Sequence, residues 1–193
     1  MAIILTQTDC ILEAHSLLET LFESNDIIEF RCISETTRKI EHFWYTLGNI
    51  DFGSLLQLNQ HCYHIYFGIN PRVRVGGTTK NDVKICRSLC VDLDGHAPSE
   101  LVTRIDDAIL ARPHICISSG GGSQGFWRLC KPITAGMWLK KQAGIISTVE
   151  GADRTIKDLP RIMRLPGFVN WKAKYSPHNP IATIYQPKDI RDE

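Results

Sequence analysis

Apolar residues near the start of the chain recur at the spacing of one helix face, and this pattern predicts an opening helix over residues 10–22. Thr8 and Asp9 precede it as capping side chains. Further along, short runs rich in β-branched and aromatic residues predict strands, because such side chains fit the pleated surface of a sheet. Strands are expected at 27–33, 63–69, 88–95, 114–119, 125–133 and 181–186.

Helical spacing returns in the second half of the chain, over 98–111 and 134–148. Pro98 suits a first helical turn and Thr134 suits an N-cap. Hairpin-forming strands mixed with helices predict an α+β fold, in which helices pack against a mostly antiparallel sheet. Shorter helices are expected near 54–60 and 156–163, while the pattern of 40–46 is ambiguous.

Length and cysteine content set the broad class of protein. A chain of 193 residues with 43% hydrophobic side chains buries roughly 70% of its unfolded surface, so it needs no disulfide or structural metal for stability. Its seven cysteines are an odd number set in apolar runs, which favours reduced thiols in the core and a cytoplasmic location. No signal peptide and no apolar run near the ~20 residues of a membrane span is visible in the sequence, so no membrane association is expected.

The local distribution of charge says more than the formal net charge of +1. Arg72, Arg74 and Lys80 cluster within 71–80 and are candidate contacts for nucleic acid. A second basic group follows residue 153. A solvated charged face is the alternative interpretation of both clusters.

Two aspartates stand at alternate positions of a predicted strand. Asp92 and Asp94 therefore share a face, while Val91 and Leu93 point into the core. Two neighbouring carboxylates repel each other unless a cation lies between them, and Mg²⁺ suits so sparse a ligand set because it also takes water and substrate phosphates. The alternative is a turn, since Asp94 is followed by Gly95.

A glycine triplet ends the predicted strand 114–119, in the sequence SSGGGSQGFW at 118–127. Gly120, Gly121 and Gly122 let backbone N–H groups converge on an anion, and neighbouring hydroxyls such as Ser119 add donors. The pattern fits neither a P-loop nor a dinucleotide-binding motif. A phosphate cradle and a plain hairpin turn both remain open.

The third candidate segment is DRTIKDLPRIMRLPGFVNWK at 153–172. Arg161 and Arg164 lie three apart, so on a helical turn they share a face and are placed to hold a triphosphate by forked hydrogen bonds. A basic helix without a ligand is the alternative.

Taken in order, VDLDG, SSGGGSQGFWRL and the third segment resemble the motifs of the archaeo-eukaryotic primase superfamily, especially the RepB-like primase and primase-polymerase domains of plasmids and phages. The segments YFGINPR and GTTKNDV resemble its lead-in, so the likeness runs over about 63–174. It implies a primase-like fold with an RRM-like antiparallel sheet and two lobes around a cleft. The lobes are expected at about 1–75 and 76–193.

The resemblance also implies roles for single residues. Asp92, Asp94 and Asp153 match the acids that hold two divalent ions, Mg²⁺ or Mn²⁺. Asp158 is the rival third acid. The residues expected to contact phosphate and nucleotide are Ser119, Gly120, Gly121, Gly122, Gln124, Arg161, Arg164, Asn170 and Lys172.

One position departs from the family pattern. Gln124 stands where the family has a histidine that meets the phosphates of the incoming nucleotide, and an amide carries no positive charge. The resemblance implies a DNA primase or polymerase that uses (d)NTPs and a single-stranded DNA template. Because of Gln124, a catalytically silent module that binds single-stranded nucleic acid or nucleotide is the main alternative.

Weaker readings concern other side chains. His61 and His64, near Tyr63 and Tyr66, superficially suggest a rolling-circle nickase, but their spacing differs from its His-hydrophobe-His pair. Zinc ligation by Cys86, Cys90 and His96 and base stacking on Phe126 and Trp127 are further alternatives to core packing. The ending KDIRDE suggests a domain from a longer replication protein, with a fused or separate replicative helicase.

Overall fold

Two four-stranded antiparallel sheets organise residues 6–186, the part of the chain that is described in a computed structural model. The ending 188–193 lies outside these residues. The helices are α1 (Gln7–Leu21), α2 (Phe52–Gln60), α3 (Pro98–Asp107) and α4 (Ala135–Thr148). The strands are β1 (Ile28–Ser34), β2 (Ile40–Tyr45), β3 (Tyr63–Gly68), β4 (Ile85–Asp94), β5 (Ile115–Ser118), β6 (Gly122–Thr134), β7 (Ile162–Arg164) and β8 (Thr183–Tyr185).

The first sheet has the strand order β2-β1-β3-β7 and the second has the order β4-β6-β5-β8. Each pairing of neighbouring strands is antiparallel. The predicted α+β class and antiparallel pairing are therefore confirmed, with two sheets in place of one. The lobe boundary near residue 75 stays a prediction. β7 comes from the C-terminal part of the chain, yet it pairs with β3 in the first sheet.

The structure resolves one ambiguous segment and corrects one predicted helix. The ambiguous segment 40–46 is strand β2, because it pairs with β1 over six residues. The helix predicted near 156–163 is wrong: residues up to 161 form turns, and Ile162–Arg164 pair with β3. Pro160 lacks the N–H that a helix interior needs, and strand pairing satisfies the backbone that follows it.

The two faces of β4 belong to different hydrophobic cores. Cys90 packs with Phe30, Phe67 and Phe126 in the core that also holds α1. Val91 and Leu93 pack with Leu101 and Ile105 of α3, as the alternation of the strand predicts. Asp92 and Asp94 consequently lie on the face opposite to α3.

The outer edge of β4 is covered by α4 and the segment after it. The Trp138 indole donates to the Ser88 carbonyl at 2.7 Å. The Gln142 amide accepts from Cys90 N at 3.1 Å and donates to Cys90 O at 2.7 Å. An uncovered edge strand leaves backbone groups unpaired. These contacts satisfy the edge and fix α4 beside the carboxylate pair.

All seven cysteines are free thiols and five are buried, as predicted for a reduced core. Within residues 6–186, every helix is too short or too polar to cross a membrane.

Candidate functional site

A small polar pocket of about 100 Å³ collects side chains from three distant parts of the chain. Its floor contains Tyr66 of β3, which is paired in register with Arg164 of β7. Most of the residues singled out in the sequence lie around it. They are Asp92, Asp94, Ser119, Gly121, Gln124, Arg161, Arg164, Asn170 and Lys172.

Asp92 is the most perturbed carboxylate of the pocket. Burial raises its pKa from 3.8 to about 6, and the nearby charges of Asp94 and Asp153 act in the same direction. Gln124 Nε2 donates to Asp92 Oδ2 at 3.2 Å and, like the charge of Lys172, opposes the shift. Asp92 Oδ1 is buried and has no hydrogen-bond partner among residues 6–186. An arrangement of this kind is relieved by a cation.

The third acid lies beside Asp92 through the backbone. Asp153 N donates to Asp92 O at 2.9 Å, so the chain after α4 continues along the edge of β4. Its carboxylate accepts from Thr155 N at 2.8 Å and from Thr155 Oγ1 at 2.9 Å. The rival Asp158 accepts from Arg161 Nε at 2.7 Å.

Within residues 6–186, no three acidic, histidine or cysteine side chains converge closely enough to hold a metal ion. Asp92 and Asp94 line the pocket, whereas the Asp153 carboxylate is held by Thr155.

The glycine triplet forms the hairpin turn between β5 and β6. Gly120 has φ of 74°, a conformation that favours glycine. A Cβ on Gly121 would collide with the Tyr175 hydroxyl. Ser119 N and Oγ both donate to Gly122 O, at 2.9 and 3.1 Å, and close the turn. Since Ser119 and Gly121 also line the pocket, the hairpin and the phosphate-binding interpretation are compatible.

Arg164 is buried and contacts Tyr66 and His64. Its guanidinium lies 4.9 Å from the centroid of the Tyr66 ring, and Nη2 donates to the Tyr66 hydroxyl at 3.0 Å. Nη1 lies 3.3 Å from His64 Nδ1. Because arginine only donates, this His64 nitrogen is the acceptor, so Nε2 carries the proton and donates to Glu35 at 3.0 Å. Burial lowers the pKa of His64, in agreement with a neutral ring.

The remaining polar side chains approach the pocket from segments 158–161 and 170–172. Arg161 Nη2 donates to Thr155 O at 2.7 Å. Arg161 and Arg164 do not share a helical face, because no helix forms there. Asn170 Nδ2 donates to Ser119 O at 3.1 Å and ties this segment to the glycine turn.

The predicted nucleic-acid contacts lie apart from this pocket. Arg72 is fully buried and bonds Glu29 through Nε at 2.9 Å and Nη2 at 2.6 Å, and Glu29 is buried as well. A contact between Arg72 and nucleic acid is incompatible with this burial. Arg74 is exposed and paired with Asp82 at 3.0 Å, and Lys80 is exposed.

In the described part of the chain, the side chains considered for a nickase site, a zinc site and base stacking form no second site. His61 bonds the Gln57 carbonyl, away from the Glu35 that holds His64. Cys86 and Cys90 are fully buried, and His96 pairs with Glu100. Phe126 and Trp127 are buried too, so neither offers a stacking surface.

Sequence reasoning missed the supports of Arg164. His64 and Tyr66 alternate on β3, which places them on one face, but nothing local connects them to a residue one hundred positions later.

The likeness of this chain to known proteins lies in the fold of its backbone. No protein-family model and no curated protein matches the sequence. The archaeo-eukaryotic primase (AEP) domain of the cyanophage S-2L primase-polymerase is 18% identical over 91% of this chain and 89% of that chain, with a TM-score of 0.74.

Two structures of primase RepB′ are similar as well. One is 14% identical, with a TM-score of 0.71 over 92% of this chain and 56% of that chain. Its catalytic domain in complex with initiator DNA is 13% identical, with a TM-score of 0.65 over 90% of this chain and 85% of that chain. This chain therefore has the fold of the archaeo-eukaryotic primases.

Proposed function

We propose that this chain is a template-directed DNA primase or polymerase that transfers nucleotides from (d)NTPs to a 3′-hydroxyl and releases pyrophosphate. One observation carries the proposal: the carboxylate pair and the buried Arg164 line the same polar pocket. Anionic and cationic groups on one pocket suit a substrate that arrives as a metal-bound triphosphate. The primase fold supports this assignment.

The carboxylate oxygens of the pocket are suitable ligands for Mg²⁺ or Mn²⁺. Asp92 Oδ1 is a buried acceptor without a donor, and the pKa of Asp92 is raised by burial and by neighbouring acids. Asp92 and Asp94 would hold the ion, with Asp153 joining once its carboxylate leaves Thr155. Bound there, a divalent ion would supply charge stabilisation for the attacking and departing oxygens.

The basic side chains serve the triphosphate. In the proposed reaction the 3′-hydroxyl loses its proton to solvent, a bond forms between the 3′-oxygen and the α-phosphorus, and the bond from that phosphorus to pyrophosphate breaks. Arg164 and Lys172 neutralise the negative charge that collects on pyrophosphate. Ser119 and Gly121 shape the wall of the turn, and Asn170 keeps that wall in place through Ser119 O.

A second cavity of about 430 Å³ adjoins the glycine turn and shares Gly121 with the first. Lys174 and Tyr175 line it together with His96. We assign this cavity to the 3′ end of the growing strand, because it adjoins the pocket and carries basic side chains.

The DNA partner follows from the fold and the exposed charges. The RepB′ catalytic domain is described in complex with initiator DNA, and we propose a single-stranded DNA template here. Arg74 and Lys80 stay candidate contacts. A helicase partner and a cytoplasmic location, both expected from the sequence, also stay predictions.

The direct experiment is primer synthesis and extension with labelled nucleotides, Mn²⁺ and a single-stranded template. We expect product with the wild type and none with Asp94→Asn, whose exposed side chain makes the substitution harmless to folding. If the folded wild type gives no product over a range of Mn²⁺ and nucleotide concentrations, the proposed primase or polymerase activity is refuted.

A catalytically silent module is favoured by Gln124, which carries no positive charge, and by the engagement of the Asp153 carboxylate by Thr155. Calorimetry separates the two functions. The enzyme binds nucleotide more tightly when Mn²⁺ is present, whereas a silent module keeps affinity for single-stranded DNA without that coupling.

A further inference from the structure

Gln124 lies directly opposite Asp92 in the pairing of β6 with β4. Its side chain is 5% exposed and lines the pocket. The amide nitrogen donates to Asp92 Oδ2 at 3.2 Å, while the buried amide oxygen finds no hydrogen-bond partner in the described part of the chain. Two acceptors, Gln124 Oε1 and Asp92 Oδ1, are thus left without donors on adjacent strands.

The orientation of this amide is fixed by its partner. Rotating it by 180° would set the amide oxygen against a carboxylate oxygen, two acceptors with no proton between them. The nitrogen therefore stays on Asp92 and the oxygen points away from it. A phosphate oxygen cannot satisfy the amide oxygen, because both are acceptors.

A buried acceptor without a partner destabilises the folded protein, and a cation or a water that it orients removes that penalty. Mg²⁺ and Mn²⁺ accept carboxylate, amide carbonyl and water oxygens as ligands. The two free oxygens match that chemistry and do not match a phosphate group.

We propose that Gln124 belongs to the metal site and not to the triphosphate site. Its carbonyl oxygen faces the divalent ion, directly or through one bound water, while its nitrogen orients the Asp92 carboxylate. This inference rests on the proposed function, since it concerns the same ion. Positive charge for the triphosphate then comes from Arg164 and Lys172, which explains how the pocket works without a histidine at position 124.

The test measures Mn²⁺ affinity without nucleotide, from the electron paramagnetic resonance signal of free Mn²⁺. Gln124→Met keeps the size of the side chain and removes both polar atoms. We expect the dissociation constant for Mn²⁺ to rise about tenfold, the lower end of the loss for a group that orients a metal ligand. Nucleotide binding measured in EDTA should stay within about twofold, on the order of measurement error.

Lys172→Met is the matched control, because Lys172 also lines the pocket and its charge acts on Asp92. It should leave Mn²⁺ affinity equal or higher and weaken nucleotide binding in EDTA. If Gln124→Met behaves like this control, with Mn²⁺ affinity intact and nucleotide affinity lowered, the inference is overturned.

Gln124→Glu guards against misfolding of the methionine variant. It keeps the shape, but at pH 8 it replaces the N–H that holds Asp92 Oδ2 with a second charged oxygen, which destabilises the metal-free pocket. Mn²⁺ relieves this repulsion, so Mn²⁺ affinity should rise, and a fall would contradict the proposal. A wild type that binds no Mn²⁺ at millimolar concentration would overturn the proposed metal-dependent function together with the inference. Wild-type binding that Gln124→Met leaves unchanged overturns the inference alone.

Discussion

Asp92→Asn should stabilise the metal-free protein while abolishing its metal binding. Asparagine has the same size and keeps an oxygen for the Gln124 amide, which lies 3.2 Å from Asp92 Oδ2. It removes a charge that the folded pocket disfavours. Burial is the first cause of the raised pKa of Asp92, and the neighbouring acids Asp94 and Asp153 add to it.

The magnitude follows from the pKa of about 6 against 3.8. A tenfold change in proton affinity corresponds to about 1.4 kcal/mol, so the upper limit is about 3 kcal/mol. Asp92 is only half-buried and solvent screens part of its charge, so we expect a gain of about 1–2 kcal/mol at pH 8. For a chain of this size each kcal/mol raises Tm by about 2–4 °C.

The sign depends on pH in a defined way. A carboxyl with a raised folded pKa stabilises the fold fully below its unfolded pKa of 3.8, and this contribution is lost as pH rises through about 6. The wild type recovers part of its stability at pH 5, so the advantage of Asp92→Asn should shrink by about 1 kcal/mol between pH 8 and pH 5.

Urea unfolding in EDTA at both pH values measures this difference. Asp94→Asn is the control, because Asp94 is exposed and its substitution should change stability little. With excess Mn²⁺ the order reverses, since only the wild type gains stability by binding. An Asp92→Asn protein that is less stable than wild type at pH 8 in EDTA would refute the electrostatic argument.

Further predictions concern the supports of the pocket. Arg164→Lys should raise KM for the nucleotide at least tenfold, on the order of one lost forked contact. Steady-state kinetics measures this change, and Mn²⁺ affinity, which should stay the same, is the control. An unchanged KM would contradict a contact between Arg164 and the triphosphate. Gln142→Leu leaves the Cys90 backbone N–H and carbonyl unpaired. It should lower the free energy of unfolding, measured in urea, by about 1–3 kcal/mol and weaken Mn²⁺ binding. Normal Mn²⁺ affinity in this variant would show that the contact of α4 with β4 does not support the metal site. Arg72→Met leaves Glu29 Oε2 without its arginine donor while Arg31 still binds Oε1 at 2.7 Å, so it should cost about 1–3 kcal/mol of stability. A stable Arg72→Met protein that had lost only DNA affinity would restore Arg72 as a DNA contact.

The sequence by itself determined the elements whose signal is local. Helical spacing located α1 and α4, and the predicted cap at Thr134 is present. The prediction of Thr8 and Asp9 as N-caps is wrong, because α1 begins one turn earlier with Thr6 as its N-cap. Alternation along a strand placed Asp92 and Asp94 on one face. These features depend on the geometry of a few consecutive residues, so no distant contact is needed to predict them.

Tertiary structure decided the features that depend on partners far along the chain. The segment 162–164 carries a weak local preference, and pairing with β3 makes it a strand. Arg72 lies in a basic segment whose sequence favours an exposed surface, yet it is buried against Glu29, forty-three positions away.

The same reason explains the supports of Arg164 and the neighbours of Asp92. His64 and Tyr66 reach Arg164 only through the pairing of β3 with β7, and Asp153 reaches Asp92 only because α4 covers the edge of β4. Burial and hydrogen bonding between distant segments are settled when the sheets and helices pack, and the spacing of residues in the sequence does not encode them directly.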